Sequence, residues 1–133
     1  MSYTNRWHLQ GSAGHAYSGE EARHLLRHRW DWASQETWFE NDTGELLAVV
    51  TNGQRAKVTL RGRSGELDEH LVDPRGAGCS GGYVMSTGQV DSYDDRDTVT
   101  FDAAGHAVAH LIEHGVWPPN VTVERGRVND RGW

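Results

Sequence analysis

The sequence predicts an α+β fold: one antiparallel β-sheet of consecutive hairpins, with two helices packed on one of its faces. Three observations carry this. Asn52-Gly53 is a strong hairpin signal, and it is followed by Arg55–Arg61, in which Ala56, Val58 and Leu60 alternate with Arg55, Lys57, Thr59 and Arg61. Thr87-Gly88 separates two further short runs of strand character, Gly82–Ser86 and Gln89–Tyr93. Between Thr100 and Gly115, Phe101, Ala104, Val108, Leu111 and Ile112 recur at helical spacing.

In chain order, Tyr3–Gln10 reads as a strand broken by Gly11–Gly14. Ser18 and Glu21 form a capping box, in which each side chain accepts from the other's free amide. The helix that follows covers Gly19–His28, with Ala22, Leu25 and Leu26 on one face, and Trp30-Asp31-Trp32 ends it. Thr37–Phe39 and Glu45–Thr51 are strands joined by the turn Asn41–Gly44. The 52–53 turn is expected to be type I′, with positive φ at both residues. Arg55–Arg61 then reads as half-buried, with a wet, basic outer face. Leu67–Val72 is a further strand, Pro74–Gly82 a glycine-rich loop, and Val121–Val123 a closing strand. Thr100 is placed to cap the second helix, Gly115 to stop it, and Pro118-Pro119 to prevent its resumption.

At 133 residues the chain is expected to form one domain. The longest apolar stretch, Leu46–Val50, is far too short to span a membrane. The first thirty residues contain no apolar segment of the signal-peptide kind, so a cytoplasmic protein is expected. Cys79 is the single cysteine, so a disulfide scaffold is excluded. The net charge is −6, from 19 acids against 13 bases, and 12 of the bases are arginine. That balance argues against direct nucleic-acid binding, which depends on basic side chains to displace counterions. It suits a basic protein partner. The acids are clustered: Glu66, Asp68, Glu69 and Asp73 form one run, and Asp91, Asp94, Asp95, Asp97 and Asp102 another.

Motifs of catalytic type are present but incomplete. His110-Leu111-Ile112-Glu113-His114 matches the H-x-x-E-H zinc pattern, and His106 lies one turn earlier on the same stripe. A small metal-dependent enzyme built on His106, His110 and His114 is therefore one reading. It lacks a third protein ligand at suitable spacing, and the chain is expected to fold without metal or other cofactor. His24 and His28 repeat the i, i+4 spacing. Gly76-Ala77-Gly78-Cys79-Ser80-Gly81 spells G-x-G-x-x-G, but a strand follows where a phosphate-binding loop needs a helix. Cys79 has no spaced His or Asp to make it a nucleophile. Six tryptophans exceed what a small core requires, and Trp30, Trp32 and Trp117 are candidates for a protein interface.

Three segments carry a resemblance: Thr51-Asn52-Gly53-Gln54-Arg55-Ala56, then Gly82-Tyr83-Val84-Met85-Ser86-Thr87-Gly88-Gln89-Val90-Asp91-Ser92-Tyr93, then His114-Gly115-Val116-Trp117-Pro118-Pro119 before a short strand. Over residues 51–123 the chain resembles the Imm1 family, immunity proteins of bacterial polymorphic toxin systems. It departs from the usual family pattern at Thr87, where Asn is common. The resemblance implies no catalysis. It implies a monomeric cytoplasmic antidote that neutralises a secreted toxin, often a nucleic-acid (cytidine) deaminase, by covering its active site. On charge, the expected contact residues are Asp91, Tyr93, Asp94, Asp95 and Asp97, then Glu66, Asp68 and Glu69, with Trp117 as an aromatic anchor. A scaffold or subunit role without a toxin is the other open class.

Overall fold

A computed structural model describes residues 6–11, 14–29, 36–62 and 68–126. The order is β1 (Trp7–Leu9), α1 (Gly19–Arg29), β2 (Glu36–Asn41), β3 (Leu46–Thr51), β4 (Arg55–Arg61), β5 (Asp68–Val72), β6 (Cys79–Val84), β7 (Val90–Asp94), a 3-10 turn (Asp95–Asp97), β8 (Val99–Thr100), α2 (Phe101–His114) and β9 (Thr122–Gly126). The main sheet runs β1-β2-β3-β4-β5-β9, with every pair antiparallel, and β8 pairs with β4 beside β5. The α+β architecture of hairpins and two helices is as the patterning predicts.

The helix boundaries follow from local chemistry. Ser18 N–H donates to Glu21 Oε1 at 2.9 Å and Glu21 N–H to Ser18 Oγ at 3.1 Å, closing the capping box. Thr100 Oγ1 accepts from Ala103 N–H at 3.2 Å. Gly115 takes the left-handed φ of 77° that ends α2, its N–H on the Leu111 carbonyl. Ala22 and Leu26 of α1, Ala104, Ala107, Val108, Leu111 and Ile112 of α2, and Phe39, Leu47, Val49, Ala56, Val58 and Leu71 of the sheet make one core with Trp7. The helices cross closely at Gly19, where an added Cβ would lie 2.4 Å from the Ala109 carbonyl oxygen. Backbone cannot yield there as a side-chain tip can. Gly19→Ala is therefore expected to cost about 1–3 kcal/mol in a urea melt.

Several local expectations are corrected. The sheet is not single: β6 and β7 form a separate two-stranded ribbon. β6 begins at Cys79, inside the segment expected to be loop, and its register shifts between Ser80 and Tyr83. β9 runs to Gly126, beyond the expected end at Val123. The 52–53 turn is not type I′. Gly53 has φ 92°, but among the described residues no non-glycine has positive φ. Asn52 instead accepts the amides of Gln54 and Arg55 on its own Oδ1, at 3.0 and 2.8 Å, a side-chain-closed turn of the kind Asn favours.

The largest correction concerns the outer face of β4. Lys57 and Thr59 are buried, not wet. The ribbon lies over this face, making a second core of Val50, Tyr83 and Tyr93 with Met85 against it. The Tyr83 and Tyr93 rings meet edge to face at 4.7 Å, and Lys57 Nζ sits 5.2 Å from the Tyr93 ring centre. The ribbon is fastened at both ends. Asn52 Nδ2 donates to the Gly81 carbonyl, and Ser86 N–H donates to Glu36 Oε1 at 2.9 Å. Burial works against the Glu36 carboxylate, yet hydrogen bonds from Ser86 and Trp38 outweigh it and lower its pKa.

Candidate functional site: an acidic surface braced by arginine

The acidic segment 91–97 runs from β7 of the ribbon into the 3-10 turn, which folds back beside β5. Asp73 N–H donates to the Arg96 carbonyl at 2.8 Å, and Asp95 N–H to the Gly78 carbonyl at 3.0 Å. Two acidic regions more than twenty residues apart are thereby brought together. Gly76 permits this contact: a Cβ there would lie 2.5 Å from the Asp95 carbonyl oxygen. The glycine of the G-x-G-x-x-G string thus serves close backbone approach, and the loop leads into β6.

Arg55 is the hub of this region. Its Nη2 donates to Asp73 Oδ2 and the Asp95 carbonyl, each at 2.9 Å, and to the Thr98 carbonyl at 3.0 Å. Its Nε donates to Thr98 Oγ1 at 2.8 Å and lies 3.8 Å from Asp95 Oδ1. Ser80 Oγ donates to the same Asp95 carboxylate. The Arg55 guanidinium, helped by the Arg75 amide, holds the Asp73 carboxyl below the usual carboxylate range. Beside this hub, His70 Nε2 lies 3.2 Å from Asp97 Oδ1. Arg96 reaches Glu124 Oε2 at 3.0 Å and Asp97 at 3.8 Å.

The residues chosen from sequence therefore separate into two kinds. Asp94 is exposed. Asp91 is half-buried and accepts from Gln89 Nε2 at 2.7 Å. Asp95 and Asp97 are half-buried and engaged with Arg55, Ser80 and His70. Tyr93 is buried, and its ring docks the ribbon. Burial, then the Asp91 carboxylate, push its hydroxyl pKa far up, so it stays neutral.

The second acidic run is divided by strand alternation. Asp68 is on the outer face, 3.8 Å from Arg61. Glu69 is on the helix face, where it accepts from Trp117 Nε1 at 3.0 Å. Trp117 packs on the main core, so this pair ties the 115–121 loop to β5. Glu66, Trp30 and Trp32 lie outside the described residues.

The H-x-x-E-H string serves the fold. Glu113 Oε1 accepts from Gly19 N–H at 2.6 Å, placing a carboxylate at the N-terminus of α1. His110 Nδ1 lies 2.9 Å from the Val116 carbonyl oxygen. Among the described residues the converging set of three metal-type donors is instead His70, Asp97 and Glu124. Sequence reading missed Arg55, Asp73, Ser80 and Thr98 as a unit, because nothing in their spacing links them. Cys79 is exposed. No helix among the described residues is long and apolar enough to cross a membrane. Comparison with family models, curated proteins and solved structures finds no match to this chain.

Proposed function

We propose that this protein is an immunity protein, which binds a secreted toxin and neutralises it by covering the active site. The toxin in this reading is a nucleic-acid deaminase of the cytidine type, and the antidote is a cytoplasmic monomer with no chemistry of its own. The observation that carries the reading is the gathering of Asp73 and the 94–97 segment on one surface, in a chain of net charge −6. An enzyme that acts on nucleic acid presents a basic groove to phosphate. An acidic surface steers toward such a groove and competes with its substrate. The family resemblance over residues 51–123 supports the same reading.

The test uses the protein encoded beside this one. Association rates are measured at two salt concentrations, for wild type and for Asp91→Asn combined with Asp94→Asn. Asp95 and Asp97 stay unchanged, because they hold the turn to Arg55 and His70. Capture by the double variant is expected to slow about threefold and to lose part of its salt dependence, as rim charges act mainly on the on-rate. An unchanged rate and salt slope would place the interface elsewhere on the chain. Absence of binding to the neighbouring gene product, or a neighbour that is not a toxin, would remove the immunity reading.

A further inference from the structure

We propose that His70, Asp97 and Glu124 form a zinc-binding site on the outer face of the sheet. The inference does not depend on the immunity reading. Thr59, His70 and Glu124 occupy one cross-strand row over β4, β5 and β9: Thr59 pairs with His70, and His70 with Glu124. Strand alternation puts all three side chains on the same face. Asp97 reaches that row from the 3-10 turn. One donor atom from each of His70, Asp97 and Glu124 lies within 4.8 Å of the other two.

The donor chemistry selects the metal. One imidazole with two carboxylates suits zinc better than magnesium or calcium, which take oxygen alone. Bonds of about 2.1 Å place ligand atoms about 3.4 Å apart in a tetrahedral shell. The imidazole–Asp97 spacing of 3.2 Å already matches. Glu124 is exposed and on an edge strand, so its carboxylate can close the remaining distance. Arg96 holds Glu124 and Asp97 now, but its side chain is 54% exposed and can turn to water.

A second observation points to a ligand here. Thr59 is 6% exposed, and its Oγ1 has no hydrogen-bond partner among the described residues. Buried hydroxyls are rarely left so. Three protein ligands leave a fourth zinc position for water, and such a water supplies the partner that the neighbouring threonine lacks. Bound there, the metal ties the acidic turn to β5 and β9.

The experiment titrates zinc chloride into the full chain by calorimetry. Wild type is expected to bind one zinc tightly. His70→Ala and Glu124→Gln are each expected to weaken that event tenfold or more. His110→Ala combined with His114→Ala is expected to leave it unchanged. Glu124→Gln alters an exposed edge residue, and an unchanged melt in metal-free buffer separates ligand loss from misfolding. If His70→Ala fails to fold, Glu124→Gln decides alone. No zinc uptake by wild type, wild-type affinity in either single variant, or loss of binding in the His110/His114 variant each overturns the site.

Discussion

Arg55→Ala is expected to lower the stability of the protein by about 3 kcal/mol, the low end of the range for removing one partner of a buried ion pair, since this network is half-buried. The Arg55 and Asp95 side chains are each 19% exposed and that of Asp73 is 27% exposed, so water replaces the lost contacts poorly. The substitution also strands the Thr98 carbonyl, in a residue with no exposed surface. With a urea m value of about 2 kcal/mol/M, the midpoint falls by roughly 1.5 M.

The acid limb carries a second signature of the same contact. The Asp73 pKa is lowered in the folded state, chiefly by its hydrogen bond from Arg55. A depressed folded pKa contributes stability above the unfolded value of about 3.9 and loses it as pH falls through the folded value. Wild type should therefore lose this part of its stability only in acid, and Arg55→Ala should show a shallower acid limb. A loss below about 1 kcal/mol, with the acid limb unaltered, would show that solvent replaces Arg55 and that the hub is ornamental to the fold.

Tyr83→Ala is expected to cost about 3–5 kcal/mol, the range for truncating a large buried aromatic. Tyr83 is fully buried between the ribbon and β3, in a cluster whose other buried members among the described residues are Val50 and Tyr93. So small a core cannot collapse around the space the ring leaves. The ribbon should loosen first. Amide exchange across 79–94 is expected to rise toward loop rates while α2 and β3 keep most of their protection. Tyr83→Phe keeps the ring and should cost about 1 kcal/mol or less. Uniform loss of protection throughout the chain would instead make ribbon and sheet one cooperative unit.

The expected helices and most strands were legible because their signals are local. The Ser18–Glu21 box, the Thr100 cap and the Gly115 stop each act over a few residues, and each is where spacing puts it. Alternation along Arg55–Arg61 assigns two faces correctly, since a strand's side chains have period two. What alternation does not reveal is what covers each face. The polar residues Lys57 and Thr59 read as solvent-facing, yet both are buried, Lys57 against the Tyr93 ring of the ribbon. The Lys57 charge is accommodated by the Tyr93 ring.

The same division runs through the acidic surface. Composition and sequence determined that the chain carries excess negative charge, concentrated in two stretches, and that it folds as hairpins with two helices. Only the tertiary structure decided which carboxylates are available. Asp95 and Asp97 are drawn inward by Arg55 and His70, and Glu69 is turned to Trp117 on the opposite face. Asp94 remains outward. It alone also decided that Glu113 caps α1 and that His70, Asp97 and Glu124 converge. The physical reason is range. Caps, turns and periodicity are set by neighbours within about one helical turn or one hairpin. Ion pairs and ligand sets join residues brought together only when the sheet closes, and no spacing along the chain encodes those meetings.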